Sequence, residues 1–244
     1  MVFSPFFILG RATAKVPAAS NSPLSMVGVV TGNTTSTTAT LTVSVTAPGS
    51  ADGIVIVQTN RANGAGVTYA GTCTVDGNSA TRIAGNEDTA TSDNNVFNIA
   101  FYRRMGIASG QSLSISVTVG ASSARPGGFV VFFLKNTRPG TTIGASTTAR
   151  GTTSNATLTG SITPTSTDSI VFYVATTVLG SGTPTVSSFA PSGATDDGLT
   201  QMGTTLGGRT SRHQVPADLS AISISTTWSA SNTNRGLIAL EIVR

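Results

Sequence analysis

Charge is what this sequence lacks most. Only 10% of its 244 residues are Asp, Glu, Lys or Arg, against about a quarter in an ordinary soluble domain. Disorder requires low hydrophobicity together with high charge, so an apolar fraction of 39%, with Val, Ile and Phe in dense clusters, excludes a disordered chain. A single cysteine, Cys73, excludes any intrachain disulfide. It sits in YAGTCTV, 69–75, where alternation makes it a small core residue rather than a reactive thiol. Long hydrophobic runs are missing too. The opening segment MVFSPFFILG has no basic residue ahead of its apolar part and is broken by Pro5, so it is expected neither to export the chain nor to span a bilayer, which takes about 20 apolar residues. Helical periodicity is absent over any stretch of about ten residues.

What is present is hydroxyl. Ser and Thr make up about three residues in ten, so the polar surface is built from hydroxyls, amides and backbone. The net charge is +4, and every basic residue except Lys15 and Lys135 is Arg. No run of Lys and Arg extends beyond Arg103-Arg104, so the excess does not form a nucleic-acid footprint. Arg is suited to contacts between subunits, because its planar fork donates several hydrogen bonds and sheds water readily.

The chain says nearly the same thing twice. Thr40-Leu41-Thr42 recurs as Thr157-Leu158-Thr159, Pro48 and Asp52 as Pro164 and Asp168, and Ile54-Val55 as Ile170-Val171. Further on, LSISVTVGAS (113–122) parallels ISISTTWSAS (222–231), and RPGGFVVFFL (125–134) parallels NRGLIALEIV (234–243), which sets Phe129 near Leu237. Three blocks in one order predict a tandem duplication. Within TATLTVSVT, 38–46, Leu41, Val43 and Val45 share one face and the hydroxyls the other, the pattern of a half-buried strand. DGIVIVQ (52–58) and GGFVVFFL (127–134) are continuous apolar runs, which suit strands covered on both faces or strands packed beneath a second element. About seven strands in 27–136 and about six in 140–244, joined by Gly, Ser, Asn and Pro, predict an all-β protein of two antiparallel β-sandwiches. The boundary falls at the turn signal KNTRPGTT, 135–142. The organisation read here is an irregular docking arm over 1–25, a first sandwich over 26–136 and a second over 137–244. Pro5, Pro17 and Pro23 keep the arm irregular, while Phe3, Phe6, Phe7, Ile8 and Leu9 call for burial against a partner.

The ADG opening before an apolar strand (51–57), the middle segment NIAFYRR (98–104) and the GG-apolar closing strand, occurring in tandem, resemble the jelly-roll structural proteins of tailed bacteriophages and prophages. The resemblance covers about residues 36–244. It implies two jelly-roll-like domains in a virion component made in the bacterial host cytoplasm: a capsid decoration or cement protein, a head spike, or a tail-associated protein. It implies contacts with other virion proteins and with further copies of the chain, and it brings no active site or cofactor. In the second copy the middle strand gives way to the polar GRTSRHQVPAD, 208–218, which reads as a loop.

Three sites could carry chemistry. Ser211, His213 and Asp218 supply the residue types of a hydrolase triad, but they crowd one short stretch and lack the Gly-x-Ser-x-Gly elbow. Asp196-Asp197 could face calcium, yet hard cations need six or more oxygens and no spaced acidic series surrounds the pair, so an Asx turn accounts for it. Asp52 and Asp168 read as turn residues. The expectation is therefore no enzyme, no metal and no cofactor. Glycan binding is the alternative, with Arg61, Asn63, Arg209 and His213 on rim loops, as in a host-recognition module. An adhesin domain is a third reading. Trp228, the only tryptophan, shares the parity of Ile222 and Ile224 and is assigned to the core rather than to sugar stacking.

Overall fold

The structure is a computed structural model that describes residues 22–34, 40–61, 71–86, 96–103, 106–108, 110–118, 127–138, 140–151, 153–178, 185–202, 207–232 and 235–244. Residues 3–9, expected to dock on a partner, lie outside that set, as does Asn63. Every regular element among the described residues is a strand. The first half holds β1 (Ser25–Thr34), β2 (Thr40–Thr46), β3 (Gly53–Arg61), β4 (Thr72–Val75), β5 (Asn78–Ser79), β6 (Thr81–Asn86), β7 (Val96–Arg103), β8 (Ser112–Thr118) and β9 (Gly127–Lys135). The second holds β10 (Thr142–Gly151), β11 (Asn155–Ile162), β12 (Ser169–Val178), β13 (Val186–Ala190), β14 (Thr195–Met202), β15 (Gly207–Gln214), β16 (Ile222–Asn232) and β17 (Arg235–Val243).

Among the described residues the paired strands are all antiparallel and form four sheets. Each half has a five-stranded inner sheet, ordered β1-β9-β3-β7-β6 or β10-β17-β12-β15-β14. Each also has an outer sheet, ordered β2-β8-β4-β5 or β11-β16-β13. The orders coincide when β1 is matched with β10, β9 with β17, β3 with β12, β7 with β15 and β6 with β14.

The apolar residues sort into three layers. Val45, Leu113 and Ile115 of the first outer sheet meet Ile54, Ile56, Phe129 and Phe133 of the first inner sheet. The opposite face of those inner strands, Val55, Val57, Val130 and Phe132, packs on Ile170, Phe172, Val174 and Leu240 of the second inner sheet. The far side of that sheet, Val171, Tyr173 and Leu237, packs on Leu158, Phe189, Ile224 and Trp228 of the second outer sheet. The molecule is a stack of four sheets, outer, inner, inner, outer. Successive residues of a strand point to opposite faces, so a strand buried on both must be apolar without interruption. That is the origin of the runs at 54–57, 129–134 and 170–175, all of them buried. Across the middle layer β1 faces β14, β6 faces β10 and β3 faces β12. β7 also lies against β17 and β12, and β6 against β17.

The outer faces carry the hydroxyls. Thr40, Thr118 and Thr72 line up across three strands, and Thr42, Ser116 and Thr74 form the next row. Thr40 Oγ1 lies 3.1 Å from Thr118 Oγ1, and Thr42 Oγ1 donates to Ser116 Oγ at 3.0 Å. The second outer sheet repeats the device with Thr157 and Thr227, whose hydroxyl oxygens are 3.0 Å apart.

Several sequence expectations need correction. The polar stretch 208–218 does not replace the middle strand of the second half: Gly207–Gln214 is β15, paired on both edges. Its hydroxyls and charges hid a strand whose side chains are taken up by neighbours on either face. Among the described residues the strands number nine and eight rather than about seven and six. One that was missed is the short β4–β5 hairpin, turned by Asp76-Gly77 at φ 50 and 75, the positive-φ pair that a two-residue hairpin turn demands. The match of Ile54 with Ile170 is out by one. Ile54 points into the first sandwich and Ile170 into the middle layer. Strand registers instead place Ile54 with Val171, since Ile54 pairs Phe133 and Val171 pairs Glu241, two residues that coincide when Phe129 is set on Leu237. Phe129 and Leu237 do both face their own sandwich cores.

Phe132 and Phe172 bring one ring from each half to a centroid separation of 4.6 Å in the middle layer. Phe172→Ala is expected to destabilise the protein by about 3–5 kcal/mol while the halves still unfold in one calorimetric transition. Two separated transitions in the native chain would show that the middle layer does not couple them.

Candidate functional site

The polar side chains of β15 divide by parity. Arg209, Ser211 and His213 pair with Thr176, Val174 and Phe172, and so face the middle layer. Thr210, Arg212 and Gln214 face the second outer sheet. Arg209 is only 1% exposed, and its Nη1 donates across the middle layer to Thr59 Oγ1 at 3.3 Å. Loss of hydration lowers its pKa to about 10, which leaves the guanidinium charged at neutral pH. The expectation of Arg209 on a rim is overturned: β15 is a strand, and its parity turns this side chain inward.

His213 also belongs to the edge of the middle layer. Its Nδ1 lies 2.9 and 3.0 Å from the carboxylate oxygens of Asp197, a side chain only 3% exposed. An ionised carboxylate can only accept, so Nδ1 carries the proton. The ring centre lies 6.3 Å from that of Phe172. Asp196, the next residue back, serves the opposite face. One of its oxygens takes the Gly198 N–H at 2.9 Å, closing the expected Asx turn. The other meets Arg212 Nη2 at 3.0 Å, while the Arg212 guanidinium stands 5.0 Å over the Phe189 ring. The triad does not assemble: Asp218 accepts from the Ser220 N–H at 2.8 Å in its own turn, and no hydrogen bond joins the buried Ser211 to His213 among the described residues. Nor do the described residues contain a group of three or more His, Cys, Asp or Glu side chains able to hold a metal.

The remaining charges tie loops to strands. Asp52 Oδ2 accepts from the Asn136 N–H at 2.9 Å, and Asp52 Oδ1 from the Thr137 N–H and hydroxyl at 3.1 and 2.9 Å, fastening the link between β9 and β10. Its counterpart Asp168 meets Arg244 Nη1 at 3.4 Å, just past β17. In both halves the carboxylate before the third strand holds the segment after the last one. Arg235 donates to the carbonyls of Thr157 and Thr153, and its guanidinium fills the space that a Cβ on Gly151 would need. Burial lowers its pKa.

Glu241 is the most enclosed of these groups. It sits on β17 opposite Val171 with no exposure. Its Oε2 accepts from the N–H groups of Ala145 at 2.8 Å and Thr165 at 2.9 Å and from the Thr165 hydroxyl at 2.8 Å, and its Oε1 from the Ser166 N–H at 3.1 Å. Gly144 leaves room for the carboxylate where any side chain would collide with it. Desolvation pushes its pKa up, but the hydrogen bonds from Ala145, Thr165 and Ser169 prevail and hold it below the usual carboxylate value. One charge thus fixes the irregularity of β10 and the turn between β11 and β12. The only sequence signal was a lone Glu inside the apolar run 237–243.

Arg61 lies at the end of β3. Trp228 is 1% exposed within the second sandwich, so it offers no stacking platform. Cys73 is buried in the first core, where loss of hydration pushes the thiol up to about 12. No family model, curated protein or solved structure matches the chain.

Glu241→Gln is expected to lower stability at neutral pH by about 2–4 kcal/mol, because a neutral amide accepts through one atom only and leaves donors unmet. Since the folded-state pKa is depressed, the native carboxylate contributes fully above the ordinary carboxyl titration range and loses that contribution as pH falls through the folded value. Acid unfolding curves should therefore be flatter for Glu241→Gln than for the native chain; parallel curves would contradict this. His213→Ala should cost about 1–3 kcal/mol by leaving the Asp197 carboxylate without its imidazole, measured by urea unfolding.

Proposed function

We propose that the protein is a non-enzymatic structural component of a bacteriophage virion, a capsid decoration or cement protein or a head spike, with a tail-associated position as the variant of the same reading. The observation that carries this is the use of its few charges: Asp52, Asp168, Asp197, Arg209, Arg235 and Glu241 all serve internal ties. A four-layer stack tied in this way is suited to bearing load and presenting surfaces. The matching sheet orders support descent from one duplicated sandwich. The order β1-β9-β3-β7 facing β2-β8-β4 supports a jelly-roll ancestry, modified in that β6 pairs with β7. The apolar arm then supplies the contact to a neighbouring subunit or another virion protein.

A carbohydrate-binding role in host recognition is the second reading. It is favoured by the uncharged hydroxyl rows on both outer sheets, and retention of the protein on a gel carrying host polysaccharide would support it.

Antibody against the chain is expected to label intact particles of the phage that encodes it, and particles free of the protein would refute the virion assignment. Deleting residues 2–10 is expected to leave the β circular-dichroism spectrum unchanged while abolishing incorporation into particles. Normal incorporation of the truncated chain would remove the arm from the account.

A further inference from the structure

Besides Arg212 Nε, the described strands of the second sandwich bury three side-chain atoms with no partner: Tyr173 Oη on β12 and Thr226 Oγ1 and Trp228 Nε1 on β16. All three side chains are at most 1% exposed. All three face the interior of the second sandwich. Tyr173 and Trp228 belong to the same core cluster, and Thr226 and Trp228 alternate on one strand, so they point the same way. Phe189, paired with Thr226 in the outer sheet, has its ring centre 6.4 Å from that of Tyr173 in the inner one.

The first sandwich shows that the architecture does without these groups. Thr226 pairs with Leu158 as Val117 pairs with Leu41, and Tyr173 pairs with Ala239 as Ile56 pairs with Val131. The sequence repeat matches Trp228 with Val119. Three aliphatic positions of one half are therefore polar in the other, and on facing sheets. Buried phenol, hydroxyl and indole groups ordinarily find partners, because leaving them unmet forfeits their hydration without return. Here one group only donates and two can donate or accept. A water molecule, with two hydrogens and two lone pairs, complements that set, and buried waters characteristically make two to four such bonds.

We propose that an ordered water molecule is bound between the inner and outer sheets of the second half, bridging Tyr173 Oη, Thr226 Oγ1 and Trp228 Nε1. It is an internal site of this half alone and stands independently of the virion reading. Because the chain has one tryptophan, its indole N–H is a single, assignable resonance. In the native protein that proton is expected to show a cross peak to water with the sign of a long-lived bound molecule. Thr226→Val, which keeps the shape and removes one ligand, is expected to weaken the cross peak and lower the thermal midpoint by about 2–6 °C. An indole N–H without a water cross peak overturns the proposal, whether or not the variant folds. So does a Thr226→Val midpoint equal to or above the native one, the result expected if the hydroxyl had simply been stranded.

Discussion

Everything else in this molecule follows from burying both inner sheets on both faces. Had the halves been separate sandwiches, Val55, Val57, Val130, Phe132, Ile170, Phe172 and Val174 would form an exposed apolar face on each. Fully covering side chains of this size is worth about 1.5–3 kcal/mol apiece, so the middle layer rivals the sandwich cores. It turns two domains into one stack and denies the inner strands any polar alternation.

A doubly covered sheet leaves no place for charge except at its ends and edges. Arg209 sits beside Thr59 at one end of the middle layer, and His213 and Asp197 lie along an edge. Asp52 and Asp168 fasten the chain where it leaves the third and last strands of each half. A charge buried without partners would be far more costly than these, which is why Asp52 is held by several donors, Asp168 by the Arg244 guanidinium and Asp197 by the His213 imidazole.

The halves share their topology but have diverged inside. Glu241 occupies the position of Phe133, and its hydrogen-bonded loop has no counterpart on the first side. Tyr173, Thr226 and Trp228 make the second core partly polar where the matching positions of the first are aliphatic.

The sequence by itself determined the strand class and the facing of most residues, because alternation along a strand is a local property. Leu41, Val43 and Val45 could be placed inward and Trp228 in the core on parity alone, and the unbroken runs marked strands covered on both faces or packed beneath a second element. It did not say what covered the second face, since that is a contact between segments more than a hundred residues apart. Tertiary structure also decided β15: Arg209, Ser211 and His213 read as a polar loop until Thr59 and Asp197 were there to meet them. The one-residue error at Ile54 has the same cause. Register is set by pairing with Phe133, and a strand apolar on both faces carries no alternation to mark which residue points where.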